Sequence, residues 1–215
     1  MGKIKDHSLY LVISEECGKG KTALEIAAFA ISGGVDIIQL REKNRSRNEI
    51  VKIGRELSGL CKDKGVIFIV NDDPAIAGEA GADGVHLGQE DIVRNPIKES
   101  RKILGEDRII GISTHSIEQF KAANDENVDY IAFGPIFPTK TKDYFLGADG
   151  IEKVLSIAKK PVFFIGGIDL SNIGEVLGKG AKNIALIRGI LEAEDITSQV
   201  KKFKRLLAMT LKGRT

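Results

Sequence analysis

Eight short apolar runs of strand type, each followed by a stretch with helical spacing, limit most severely what this chain can fold into. The runs lie near 8–14, 35–40, 66–70, 84–87, 108–113, 129–134, 161–166 and 183–187. Helical spacing follows at 20–32, 46–63, 73–80, 95–103, 116–125, 149–158, 170–178 and 196–211. The runs are apolar on both sides, as strands are when a barrel interior covers one face and helices the other. Eight such units in 215 residues favour an α/β chain closed into a single (β/α)8 TIM barrel, with a doubly wound open sheet as the alternative. No Pro-, Ser- or Gly-rich linker interrupts residues 1–215, so one domain is expected.

Local signals agree with this division. Ser46 and Glu49 fit a capping box, and Ser113 or Ser116 suits the start of the fifth helix. Pro74 and Pro96 suit first helical turns. Gly33, Gly65, Gly81 and Gly180 are placed to end helices in the left-handed conformation.

Polar chemistry is gathered at one end of the runs. VDIIQL leads into Arg41-Glu42-Lys43, VIFIV into Asn71-Asp72-Asp73, and GVHL into Gly88-Gln89-Glu90-Asp91. Later runs end in Ser113-Thr114-His115, in GPIFPTKTK (134–142), in Gly166-Gly167 and in Arg188-Gly189. The opposite ends read as bland: Gly-Val-Asp, Gly-Ala-Asp, Asn-Val-Asp and Gly-Ala-Lys. A parallel barrel keeps its active site at the carboxyl ends of its strands, so this asymmetry points to an enzyme.

Charge narrows the partners. With 32 basic and 30 acidic side chains the net charge is only +2, which argues against a nucleic-acid surface. The basic segment Lys201-Lys202-Phe203-Lys204-Arg205 carries Val200, Phe203, Leu206, Leu207 and Leu211 at helical spacing, which reads as a solvated helix with one buried stripe. Cys17 and Cys61 share no metal-type spacing, and no run has the length of a signal peptide or a membrane span. A reduced, cytoplasmic protein without membrane partners is expected, and no signal fixes an oligomeric state.

Gly18-Lys19-Gly20-Lys21-Thr22 imitates a phosphate-binding loop. That motif needs a glycine where this chain has Glu15, so a capping loop is the expectation. Asp72 and Asp91 end neighbouring strands, and their oxygens suit Mg²⁺; each also suits a helix cap. Gln39, Arg41 and Lys43 alternate onto one side, which suits an anionic ligand or a solvated strand end paired with Glu42 or Asp36. In GPIFPTKTK, Thr139 and Thr141 flank Lys140, with Lys142 beyond, a set of donors for a phosphate. Gly166-Gly167 and Arg188-Gly189 stand at the positions of the recurrent barrel phosphate site. His86, within a strand, reads as a core histidine, and His115 as a neighbour of the site.

Taken in order, QLREK (39–43), VNDD (70–73), VHLGQED (85–91), GIST (111–114), GPIFPTKTK (134–142) and IGGI (165–168) resemble the thiamine-phosphate synthase family over essentially the whole chain. The resemblance implies an α/β barrel that joins a pyrimidine methyl diphosphate to a thiazole phosphate and releases pyrophosphate with Mg²⁺. It implies two small phosphorylated heterocycles as partners. The pyrimidine diphosphate would be held by Gln39, Leu40, Arg41, Glu42, Lys43, Asn71, Ser113 and Lys142, and Mg²⁺ by Asp72 and Asp91. The thiazole phosphate would meet Thr139, Lys140, Thr141, Gly167, Ile187 and Arg188. Arg41, Lys43, Ser113 and Lys142 would be catalytic. Arg188 stands where the family usually has serine. A thiazole tautomerase-like barrel and a non-catalytic sensor of phosphorylated ligands are the alternatives; the former needs neither diphosphate clamp nor Mg²⁺.

Overall fold

Strand parity builds the architecture. In the computed structural model, which describes residues 4–140 and 142–212, eight parallel strands close into a barrel in chain order. They are β1 (Leu9–Ile13), β2 (Ile37–Leu40), β3 (Ile67–Asn71), β4 (Gly84–Leu87), β5 (Ile109–Thr114), β6 (Tyr130–Phe133), β7 (Val162–Ile165) and β8 (Asn183–Leu186). Alternate residues face inward: Tyr10, Val12, Ile37, Ile69, Ile109, Tyr130, Phe163 and Ala185 form one buried cluster inside the barrel. The other parity, with Leu11, Ile38, Phe68, Val85, Ile110, Ile131, Phe164 and Ile184, packs outward against the helices. A period of two therefore sorts each strand between two cores.

The helices are α1 (Ala23–Gly33), α2 (Arg47–Lys64), α3 (Pro74–Glu79), α4 (Gln89–Arg94), α5 (Ile97–Leu104), α6 (Ile117–Asp125), α7 (Gly150–Ile157), α8 (Ile173–Gly178), α9 (Arg188–Leu191) and α10 (Ile196–Lys212). All eight expected strand–helix pairs are present. Two short helices, α4 and α9, are additional; each follows its strand directly, ahead of the helix that the pattern marks. Ser46 and Glu49 close a capping box on α2, and Ser116, not Ser113, caps α6 by accepting from the Gln119 amide. Thr22 and Glu25 cap α1 in the same way, so the Gly-Lys-Thr segment serves as a helix start. Two expectations need correction: Gly34, not Gly33, takes the left-handed position after α1, and Pro96 precedes α5 as its cap. Along α10, Val200, Phe203 and Leu207 of the expected stripe are fully buried and Leu206 is half-buried; the Leu211 side chain lies outside the described residues.

The strand beginnings are not bland. Asp36, just before β2, accepts from the Leu9 amide of β1 at 2.7 Å. Asp83 accepts from Phe68 at 2.9 Å, Asp129 from Ile110 at 2.7 Å, and the Asn183 amide oxygen from Ser8 at 3.0 Å. Each even-numbered strand thus ties its first polar side chain to a neighbouring chain segment, satisfying amides the sheet leaves unpaired. Cations complete two of these ties: Lys204 meets Asp36 at 2.5 Å and Arg101 meets Asp129 at 2.8 Å. Arg101 is only 5% exposed and also donates to the carbonyls of Arg108 and Asn127.

Candidate active site

The exits of β2, β3 and β4 bring charge together. Asp72 follows β3 in a left-handed conformation, φ 69°, which Asp tolerates better than most residues. Its amide donates to the His86 carbonyl of β4 at 2.8 Å, and its own carbonyl accepts from Asn95 at 3.1 Å. Asp73, not Asp72, caps α3 by accepting from the amides of Ala75 and Ile76. Asp91, in the first turn of α4, accepts from the Gly88 amide at 3.0 Å with one carboxylate oxygen. Asp72 and Asp91 stand side by side. The Asp72 carboxyl is pushed up to about 7, first by burial and then by its contact with the Asp91 carboxylate; Arg41 and Lys43 pull it the other way. Two carboxylates and two cations from three successive units therefore share one small volume.

Other predicted residues fall into distinct places. Leu40 turns its side chain into the outer core, so only its backbone lies at the exit of β2. Glu42 accepts from the Glu15 amide at 2.7 Å and braces the loop after β1. Asn71 ends β3 and pairs in register with His86. Ser113 lies inward on β5, where its hydroxyl meets the His86 Nε2 at 2.8 Å and its carbonyl accepts from Gln89 at 2.5 Å. Gln39 is buried within the barrel and donates to the Tyr10 hydroxyl at 2.6 Å.

The loop after β6 and the turn after β7 form one unit. Ile136 and Phe137 donate to the carbonyls of Ile165 and Gly166 at 2.9 and 3.0 Å. Gly167 has φ 66°, and a Cβ there would lie 2.6 Å from the Pro138 carbonyl oxygen, so glycine alone lets the two segments touch. Lys142 donates its amide to Thr139 Oγ1 at 3.1 Å, and its ammonium lies 5.9 Å from the centre of the Tyr144 ring. Thr141 lies outside the described residues. His115 is tied to the same loop through Gly134 O at 2.6 Å and packs edge-on against Tyr144.

Ile187 and Arg188 follow β8, the strand next to β7. Arg188 lies at the start of α9, and its Nε meets Glu192 at 3.4 Å. Lys140 reaches the same carboxylate at 3.7 Å. Glu192 therefore joins the loop after β6 to the end of β8 and would share these two cations with a phosphate bound there.

Three residues escaped the sequence reading. Tyr10 and Tyr130 are fully buried, and Gln89 holds Ser113 from α4. The Tyr10 and Tyr130 hydroxyls meet at 2.9 Å, and Tyr130 meets the His86 Nδ1 at 2.9 Å. Burial drives the His86 imidazole down to about 4, so it is neutral, and it raises both tyrosines above their ordinary range. The inward parity of both tyrosines was the available signal.

A mouth with a carboxylate pair, a cationic rim and a glycine-backed loop suits metal-assisted chemistry on phosphates. Among the described residues no cluster of three or more His, Cys, Asp or Glu side chains forms a closed metal cage. Two carboxylates alone fit a cation that keeps water and phosphate oxygens as its other ligands, as Mg²⁺ does.

Comparison with known proteins agrees. The family model described as thiamine monophosphate synthase matches residues 9–190. A thiamine-phosphate synthase of Halalkalibacterium halodurans is 39% identical over 207 residues, 95% of this chain and 97% of that protein. Another, from Caldicellulosiruptor saccharolyticus, is 40% identical over 92% of this chain and 90% of its own length. A solved thiamine phosphate pyrophosphorylase from Pyrococcus furiosus superposes with a TM-score of 0.87 at 33% identity, covering 95% of this chain and 97% of that one. The chain belongs to the thiamine-phosphate synthase family and is a transferase of thiamine biosynthesis.

Proposed function

We propose that this chain, as one catalytic domain over residues 1–215, joins 4-amino-2-methyl-5-(diphosphooxymethyl)pyrimidine to 4-methyl-5-(2-phosphooxyethyl)thiazole with Mg²⁺. The products are thiamine phosphate and pyrophosphate. The observation that carries this reading is the convergence of Arg41 and Lys43 on the Asp72–Asp91 carboxylate pair. Such a constellation suits a diphosphate and its metal ion, and a single phosphate would not need it.

In this reading Asp72 and Asp91 hold Mg²⁺, which when bound supplies positive charge to the diphosphate oxygens. Arg41, Lys43 and Lys142 take up the negative charge that grows as the carbon–oxygen bond breaks and its electron pair leaves with pyrophosphate. Asn71 and Ser113 donate to the same group, and Gln39 reads the pyrimidine edge. The backbone around Leu40 and Glu42 lines this side. Thr139, Lys140, Thr141, Gly167, Ile187 and Arg188 hold the thiazole phosphate, so that the ring nitrogen faces the methylene carbon. That nitrogen forms the new bond with its lone pair and has no proton to lose, so the site needs no general base. The aminopyrimidine stabilises a cation at the methylene, which favours cleavage ahead of attack. Free Cys17 and Cys61 suit a reducing cytoplasm.

The test mixes both phosphorylated heterocycles with Mg²⁺ and the chain. Thiamine phosphate and pyrophosphate should appear in equal amounts. Rearrangement of a thiazole carboxylate phosphate without pyrophosphate would indicate a tautomerase, and binding without turnover a sensor.

A further inference from the structure

Five side chains from five strands form an unbroken hydrogen-bond chain across the barrel interior. It runs from Gln39 Nε2 to the Tyr10 hydroxyl (2.6 Å), to the Tyr130 hydroxyl (2.9 Å), to His86 Nδ1 (2.9 Å), and from His86 Nε2 to the Ser113 hydroxyl (2.8 Å). Its two ends belong to the pyrimidine diphosphate site proposed above; its three middle members have no role there. The seat is built for them. A Cβ on Gly111 would lie 2.0 Å from Tyr130 Cζ, and the His86 and Tyr130 rings stack with centres 5.5 Å apart.

Proton counting restricts this chain. Each hydroxyl owns one proton and a neutral imidazole owns one N–H, and the buried tyrosines have hydrogen-bond partners only within the chain, so all links donate in the same direction when every tyrosine proton is satisfied. Only two arrangements make every link and also give each buried tyrosine proton an acceptor within the chain. In one, Gln39 donates to Tyr10, Tyr10 to Tyr130, Tyr130 to His86 Nδ1, and His86 Nε2 to Ser113, whose own proton then turns to the cleft. In the other, Ser113 donates to His86 and the direction reverses throughout, ending with Tyr10 donating to Gln39 Oε1.

An anion only accepts. A diphosphate oxygen beside Ser113 therefore selects the first arrangement, and the selection reaches Gln39 through the three buried links. We infer that Tyr10, Tyr130 and His86 are positioning residues that let the diphosphate end set the Gln39 amide, with Nε2 held by Tyr10 and Oε1 left to accept from an exocyclic amino group. The consequence is specificity. The site takes a 4-aminopyrimidine and rejects its 4-oxo counterpart, because accommodating an oxo group requires the amide to flip. A flipped amide would face the Tyr10 oxygen with its own, or force the whole chain to reverse and turn a Ser113 lone pair on the anion. Leaving one such buried polar pair unmet weakens binding by about tenfold or more.

This inference rests on the synthase reading, and two measurements separate the two. The first is nitrogen NMR of the three histidines in the full chain, with Mg²⁺ and inorganic pyrophosphate as the probe. His86 should carry its proton on Nε2 in the bound state; a proton on Nδ1 there overturns the inference. The second is the ratio of kcat/KM for the amino substrate over its oxo analogue. Tyr130→Phe, which keeps the ring, should lower that ratio about tenfold, and Tyr10→Phe should act alike if the first variant folds poorly. A purely structural tyrosine would depress both substrates together, and an unchanged ratio overturns the inference. If the parent makes no thiamine phosphate, the synthase reading falls and the NMR result alone decides on the chain.

Discussion

The two ends of this barrel use the same residue type in opposite ways. At the amino end Asp36, Asp83 and Asp129 each accept from a backbone amide of the neighbouring strand, and Lys204 and Arg101 neutralise two of them. At the carboxyl end Asp72 and Asp91 face each other, and Asp72 is pushed up to about 7 by burial first and by Asp91 second. A carboxylate that accepts from an amide of the neighbouring strand stabilises the fold; a carboxyl buried against another carboxylate gains from any further cation placed beside it. One end turns its carboxylates to amides and cations of the chain itself, and the other sets two carboxyls against each other.

The contrast breaks most visibly at the carboxylate pair. Asp72→Ala and Asp91→Ala should each lower turnover by on the order of 100-fold at limiting Mg²⁺. Their melting temperatures should stay near the parent's, since each change removes like-charge repulsion. Turnover against Mg²⁺ concentration checks this, and normal turnover in either variant would leave that residue a support for α4 or β3 only.

Asp129→Ala is the opposite experiment. It leaves the buried Arg101 guanidinium and the Ile110 amide without their shared partner. A loss of about 3 kcal/mol is expected in urea unfolding, with kcat of the folded protein unchanged. A fall in kcat under conditions where the variant is fully folded would show that the two ends are coupled.

Lys142→Ala should lower turnover about tenfold while changing thiazole phosphate binding little, because its charge meets the departing pyrophosphate. A raised Michaelis constant for the thiazole substrate with unchanged turnover would move this lysine to the other phosphate.

Arg188→Ser sharpens the comparison with the smallest effect. Arg188 is held by Glu192 through its Nε, so a phosphate shares the guanidinium with that carboxylate. Calorimetry should show thiazole phosphate affinity reduced by about tenfold at most. Equal affinity would assign Arg188 to Glu192 and leave the phosphate to backbone amides.

The barrel was legible because strand and helix periods alternate without interruption, and β2, β3 and β4 end where apolar runs meet charge. Asp72 and Asp91 were legible for the same reason, although their juxtaposition depends on α4, which lies ahead of the helix that the pattern marks. The Asp-to-amide ties at the amino end were hidden, because an Asp before a strand reads as a turn residue until the neighbouring strand is in place. Tyr10 and Tyr130 carry no motif that marks them. Their rings are buried, and their hydroxyls meet across the barrel from strands far apart in sequence.

The central claim is that the carboxyl end is built to absorb the charge released as pyrophosphate departs. The most direct measurement is the single-turnover rate with an electron-withdrawing substituent on the pyrimidine in place of the 2-methyl group. Cleavage ahead of nitrogen attack makes the ring carry positive charge, so the rate of the chemical step should fall steeply while binding of the diphosphate is retained. A rate that does not respond to the substituent would contradict the account and require the thiazole nitrogen to displace pyrophosphate in one concerted step.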